Sequence, residues 1–363
     1  MLTKGDDYPI HQLPEPVAFA GTDRNFYDRY WFNGYAKKGE LFFAFALGVY
    51  PHLNIMDSSL AVIKDGIQHN LRASRYLGME RMDTKVGPLS VQVLEPLKSL
   101  RVVVEDNEYD ISADLTFTAR AVALGEPRYT WRIGPRVIMD YSRMTQNGCY
   151  KGWINVKGDR VDIEPDRWLG TRDRSWGVRP IGAQDLQQAA PPVLPQFYWL
   201  WAPVNFDDCI TLYDLNADGE GNIWHTHGVI APVGEGPAEE MKKVESHLTF
   251  KSGTRHAGSA ILTFWTKKDE EIKIYVEPLF QFYMSGIGYI HFEWGHGLNK
   301  GPLAIGYDTI ELASADEASL LHLHVQAISR FTMGDRVGMG ALEQLIIGPH
   351  APSGFKDLLD MAP

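Results

Sequence analysis

Cysteine is nearly absent: Cys149 and Cys209 are the only two in 363 residues. One pair cannot staple a chain of this size or complete a thiolate metal site, so both read as reduced core or near-surface thiols. No run approaches the eighteen or so apolar residues of a membrane-spanning helix, and Met1-Leu-Thr-Lys-Gly-Asp-Asp-Tyr-Pro9 lacks the apolar centre of a secretion signal. The expectation is a cytoplasmic protein without stable membrane insertion. Basic tracts are missing as well. A formal charge of −11 and a pI near 5.5 argue against nucleic acid or an anionic membrane as main partner, because either attracts clustered lysine and arginine. There is no P-loop, no Gly-x-Gly-x-x-Gly after a strand and no Gly-x-Ser-x-Gly elbow, so these routes to phosphate, dinucleotide and serine-nucleophile chemistry have no basis. No cofactor is expected.

What the sequence holds instead is aromatic side chain, 12% of it within a hydrophobic share of 44%. Aromatics fill cores and also line cavities for flat or polyisoprenoid ligands. The length predicts roughly two domains. Residues 1–25 are Pro-rich and polar and read as a surface arm. Residues 26–180 read as a first β-domain. Arg29–Ala36 alternates, Lys37-Lys-Gly-Glu40 reads as a turn and Leu41–Tyr50 as a long apolar strand, together an opening hairpin. Strand patterns recur at Ser59–Lys64, Gln68–Ser74, Leu89–Leu94, Ser99–Glu105 and Tyr109–Ala121, divided by Lys64-Asp65-Gly66, Gly87-Pro88 and Glu105–Glu108, while residues 136–147 read as a helix. Residues 181–196 form a Pro-rich connector.

Residues 197–350 then repeat the pattern. Gln196–Ala202, a turn at Asp207-Asp208 and Cys209–Leu215 parallel the opening hairpin, and Ser259–Thr266 with Ile272–Phe282 parallels Leu100–Glu105 with Tyr109–Ala121. Strands at Tyr289–Trp294, Leu303–Leu312 and Ser319–Ser329 close this second unit. Helical spacing appears at Gly340–Ile347 and, in the tail 351–363, at Gly354–Met361. The fold class is all-β, two tandem antiparallel domains of sandwich or barrel type.

One stretch concentrates chemistry: Trp168-Leu-Gly-Thr-Arg-Asp-Arg-Ser-Trp-Gly-Val-Arg-Pro180. If it is extended, Thr171, Asp173 and Ser175 share one face and Arg172, Arg174 and Trp176 the other. A carboxylate among guanidiniums and indoles is costly to bury unpaired. The segment is therefore either an ion-pair clasp between domains or a site that uses the proton. His225-Thr-His227, His322-Leu-His324 and His291-Phe-Glu293 each put two polar side chains on one strand face. Their spacing matches no metal signature, and His322 and His324 alternate with Leu321, Leu323 and Val325 as on a half-solvated strand, so no metal is expected. His227 and His291 stand as proton carriers. Of the carboxylates Asp57, Glu277 and Glu293, Glu277 shares a face with Tyr275 before Pro278, as at a barrel mouth.

The aromatic opening hairpin, the Gly170-Thr-Arg-Asp-Arg-Ser-Trp-Gly177 block, the Pro-rich middle and the Tyr289…Trp294-Gly-His-Gly297 ending resemble the carotenoid 1,2-hydratase (hydroxyneurosporene synthase) and AttH-like group. That resemblance implies two tandem calycin- or lipocalin-like β-barrels and proton transfer to or from an apolar molecule in a dry cavity. Asp173 matches the aspartate that protonates an alkene in those hydratases. Thr171 stands where they carry tyrosine, and their upstream His-x-Trp has no counterpart around Arg143–Gln146. The expected function is a cofactor-independent lyase or isomerase, such as a hydratase or dehydratase. It would act by general acid-base catalysis on a hydrophobic terpenoid, steroid or aromatic compound. The alternative is a non-catalytic carrier of such a molecule. Candidate catalytic residues are Asp173, His227, His291 and Glu293. Candidate substrate-binding residues are Arg172, Ser175, Trp176, Tyr275, Glu277 and Trp294. The expected partner is a small hydrophobic molecule, and a homodimer is compatible with the sequence.

Overall fold

Phe42–Tyr50 is buried at every position, and so is Cys209–Ala217. A strand loses its polar face only when both faces are covered, and here each has a barrel core on one side and the other sheet on the other. Phe43, Phe45, Leu47 and Val49 fill the interior of the first sheet, while Phe42, Ala44 and Ala46 face the second. In the second sheet Tyr213 and Leu215 point inward, while Ile210 and Leu212 face the first.

The structure, a computed structural model, describes residues 10, 14–19, 21, 23–36, 41–184 and 195–363. The expected turn at 37–40 and most of the connector and N-terminal arm lie outside the described residues. Two antiparallel sheets of 14 and nine strands each curl into a nearly closed barrel. The longer path runs Leu303–Glu311, Ile67–Tyr76, Ile55–Lys64, Phe42–Tyr50, Phe26–Ala36, Trp168–Val178, Arg136–Val156, Ile111–Ala119, Ser99–Val104, Leu89–Glu95 and Lys85–Val86. The second runs Glu239–Glu240, Ile223–Pro232, Cys209–Ala217, Phe197–Asn205, Arg336–Ile347, His324–Met333, Glu271–Tyr283, Ala257–Trp265 and Lys243–Phe250. From Ile67–Tyr76 to Leu89–Glu95 the two orders correspond strand for strand. In each, the opening hairpin pairs with the last barrel strand of its own unit. Left-handed Asp65 and Gly66 form the tight turn that joins Ile55–Lys64 to Ile67–Tyr76.

Register gives the equivalences. Trp31 lies opposite Asp173, and Trp201 lies opposite Glu343. Arg143 lies opposite Ser175, and His324 opposite Leu345. Equivalent residues meet where the sheets stack: Trp31 and Trp201 make an edge contact at 5.7 Å, and Asn205 Nδ2 donates to Tyr35 Oη at 2.9 Å. The sheets thus face one another through the same surface, as across a two-fold axis.

Several sequence expectations are corrected. Residues 136–147 are the first half of strand Arg136–Val156, held by strands on both sides, and 340–347 lies in strand Arg336–Ile347. Residues 354–361 follow a single 3-10 turn at Ala351–Ser353 and form no helix. Leu303–Glu311 closes no second barrel but pairs with Ile67–Tyr76 of the first sheet. Tyr289–Trp294 is a series of turns, because Gly288 and Ile290 take positive φ after the 3-10 turn Met284–Ile287. That turn is bolted to the first sheet: Gln68 bonds both the N–H and the carbonyl of Tyr283, and Arg72 donates to Ser285 O. Residues 284–311 therefore form a strap from the second sheet across the first. No helix among the described residues is long and apolar enough to cross a membrane.

Candidate functional site

Stacking two sheets through small residues such as Ala44, Ala46 and Ala61 closes the contact at one end. At the other end the facing side chains are large and polar, and a cavity of about 810 Å³ remains. Alternation aims Tyr27, Arg29 and Trp31 into it from one strand, Asp173 and Ser175 from the next, and Met139, Tyr141 and Arg143 from the third. The second sheet supplies Phe197, Trp199, Trp201, His324, Glu343 and Leu345, and the strap covers it with Tyr289, His291 and His296.

Asp173 has no hydrogen-bond or ion-pair partner among the described residues. The clasp with its neighbours does not form, because alternation turns both arginines away. Arg172 donates through Nε and Nη2 to Gln146 Oε1 at 2.9 and 2.6 Å, and Arg174 pairs with Asp28 at 2.8 Å over the Tyr30 ring. Burial pushes the Asp173 carboxyl up to about 7, against the pull of Arg143 and Arg29 and with help from the negative charges of Glu126 and Glu343. It lines the cavity.

Glu343 occupies the equivalent position on the opposite wall. It accepts from His324 Nε2 at 2.7 Å and from Gln326 Nε2 at 2.6 Å. Glu343 thus fixes the His324 ring through Nε2, and His324 Nδ1 has no partner among the described residues.

Arg143 is locked into a buried network. It donates to Glu126 at 2.5 Å and to Asp214 at 2.8 Å, and Asp214 also receives Trp199 Nε1 at 3.2 Å and pairs with His225 at 3.1 Å. Burial alone would raise Asp214, but Arg143 and His225 outweigh it and hold the carboxyl below its ordinary range. Within the strap, burial and the charges of Arg29 and Arg179 hold His296 well below its ordinary range, so it is neutral. Its Nε2–H donates to Ile287 O at 3.0 Å, and Nδ1 accepts from Arg179 Nη2 at 3.2 Å.

Of the sequence candidates, the fold brings Asp173, Ser175 and His291 to the cavity. His291 is at its rim, where Nδ1 accepts the N–H groups of Glu293 and Trp294. The others lie elsewhere. His227 bonds Glu240 at 2.8 Å outside the cavity lining, Glu277 pairs with Arg330 on the surface, and Tyr275 and Trp176 are exposed. Trp294 covers Gly306, and Glu293 is solvent-facing. Arg172 faces the interior of the first barrel against Phe117. The His-x-His pairs do not converge. His225 and His227 take different carboxylates, His322 bonds Asp316 O, and His324, expected half-solvated, is 1% exposed. Sequence reasoning missed Arg29, Arg143, Tyr289, His324 and Glu343. Aligning Tyr27-x-Arg29-x-Trp31 with Phe197-x-Trp199-x-Trp201 was the available signal for the cavity face.

Among solved structures the fold is similar to an AttH-type protein from Nitrosomonas europaea, at 13% identity and TM-score 0.56 over 93% of this chain and 98% of that one. It is similar to kievitone hydratase from Nectria haematococca, at 11% and 0.52 over 88% and 89%. It is also similar to CghA in complex with Sch210972, at 10% and 0.50 over 89% of each. The resemblance read from Gly170–Gly177 thus holds at the level of the AttH-like fold, two lipocalin-like barrels in tandem. No curated protein matches the sequence. Residues 2–356 match the model of a family of unknown function (DUF8625), and the chain belongs to that family.

Proposed function

We propose that this member of the family is a cofactor-free lyase or isomerase of the hydratase or dehydratase kind. It works by general acid-base catalysis on a hydrophobic terpenoid, steroid or aromatic compound held between the barrels. The observation that carries this reading is Asp173: a carboxyl with no partner among the described residues, half neutral near pH 7, on the wall of a large cavity lined by indoles.

The chemistry follows from two carboxyls in different surroundings, Asp173 without a donor and Glu343 held by His324 and Gln326. Asp173 donates its proton to an alkene carbon, forming a C–H bond and a carbocation that the faces of Trp31, Trp199 and Trp201 stabilise. Water adds to the cation, forming the C–O bond, and its surplus proton passes to His324 Nδ1, while Glu343 stabilises the imidazolium. Dehydration is the same path reversed, with Asp173 restored by the departing C–H proton. General acid and base of this kind contribute about 10²–10⁴-fold each. Kievitone hydratase, which shares the fold, supports the reaction class. A carrier, the rival reading, has no use for an acid poised near neutrality.

The test is a screen of terpenoid, steroid and aromatic alkenes and alcohols in isotopically labelled water, read by mass spectrometry as gain or loss of one water. Turnover that Asp173→Asn abolishes while binding persists is the expected result. Turnover unchanged in D173N sinks the mechanism, and binding without turnover across the screen favours the carrier.

A further inference from the structure

The cavity is electrically lopsided. At one end Arg143 is neutralised by Glu126 and Asp214. At the other end two guanidiniums have no ion-pair partner among the described residues. Arg29 is 2% exposed, gives Nη1 to the Tyr289 hydroxyl at 2.6 Å and leaves Nε and Nη2 unpartnered. Arg179 gives Nη2 to neutral His296, leaves Nε unpartnered and lies over the Tyr27 and Tyr289 rings at 4.5 and 5.5 Å.

The carboxyls within electrostatic reach do not cancel these charges. Asp57 is tied to Tyr50 Oη at 3.0 Å and to the Gly297 N–H at 2.8 Å, and its carboxyl is itself pushed up to about 6 by burial. Asp173, whose carboxyl also feels Arg29, is the proposed proton donor. Two buried cations without an ion-pair partner among the described residues are unstable relative to the same cations facing an anion, and guanidinium selects carboxylate by geometry as well as charge. The adjoining wall of Trp31, Phe197, Trp199, Trp201 and Leu345 suits an apolar body.

We propose that the Arg29–Arg179 end of the cavity binds the ionised carboxyl group of an otherwise apolar substrate, so that the substrate class is hydrophobic organic acids. This rests on the reading of the cavity as the substrate site. The carboxylate anchors the molecule at one end and leaves its body across Asp173 and His324.

The test uses the whole chain and two matched probe pairs, retinoic acid with retinol and dehydroabietic acid with dehydroabietinol. Binding is followed by quenching of cavity tryptophan fluorescence and by the rise in unfolding temperature. Each acid is expected to bind at least about tenfold more tightly than its alcohol, equal to about 1.4 kcal/mol. Arg29→Met or Arg179→Met should bring the ratio to near unity in protein that still unfolds cooperatively. Acids that bind no better than their alcohols, including no binding by either, overturn the proposal without any variant. So does a preference that survives in both folded variants. D173N should keep the preference. If the preference is present while no acid is ever turned over, the catalytic reading fails and the anchor stands.

Discussion

Replacing Asp173 with asparagine keeps the shape of the neutral carboxyl and removes its ability to ionise. The unfolded chain titrates this group near the ordinary 3.8, whereas burial pushes it up to about 7 in the fold. Between those values the folded protein holds a proton that the unfolded chain has released, so stability falls as pH rises through the window. Below it both states are protonated, and wild type and D173N differ little. Above it both are ionised, and wild type carries the full cost. Three units at about 1.4 kcal/mol give about 4 kcal/mol, an upper bound because the carboxyl faces a cavity that admits water. From about pH 5 to about pH 8 the gap between the two proteins should widen by about 3 kcal/mol and flatten above neutrality. Urea unfolding of both proteins at each pH measures this, and taking the difference cancels the other titrating groups. A gap that stays flat refutes the buried acid. So does a D173N that loses stability at alkaline pH, since that is what an ion-paired aspartate gives.

Arg143→Met strands Glu126 and Asp214 against each other in the interior and should cost about 3–5 kcal/mol in urea unfolding near neutral pH. A loss under about 1 kcal/mol would mean the network is solvated. Glu343→Ala leaves the Nε2–H donors of His324 and Gln326 without an acceptor and should cost about 1–3 kcal/mol by the same measurement. Gly170→Ala puts a methyl 2.0 Å from Asn33 O, where two central strands approach, and should cost about 1–3 kcal/mol in unfolding with no change in net charge.

The opening hairpin and its repeat were legible because an unbroken apolar run such as Phe42–Tyr50 has one explanation in a β-rich chain, burial on both faces. The strand Arg136–Val156 was not legible. Its Met139, Tyr141 and Arg143 face the cavity, so polar residues fall on what is elsewhere the apolar face and the period of two is lost. Leu303–Glu311 has a clear strand pattern, but a pattern does not name its partner, and the strap delivers it to the other sheet. Asp173 was found because alternation separates it from Arg172 and Arg174. Glu343 was hidden by the helical reading of 340–347. Arg29 and Tyr289 are 260 positions apart, and only the strap brings them together.

The two halves hold their equivalent carboxyls in opposite ways. Asp173 and Glu343 occupy equivalent places, as do Thr145 and Gln326, and Arg143 and His324. In the second sheet the two equivalent neighbours, Gln326 and His324, both turn to Glu343. In the first sheet both turn away from Asp173: Thr145 Oγ1 donates to Glu126 at 2.5 Å, and Arg143 donates to Glu126 and Asp214. Glu126 is therefore what keeps Asp173 without donors, and it also raises that carboxyl through its own charge. Glu126→Gln removes the charge and weakens the hold on both neighbours, so the Asp173 midpoint should drop below about 7 on both counts. The comparison of E126Q with E126Q/D173N should then show the pH-dependent gap levelling off at a lower pH and with a smaller span than in the parent pair. An unmoved window would mean that Asp173 owes its proton to burial alone and that Glu126 only anchors Arg143.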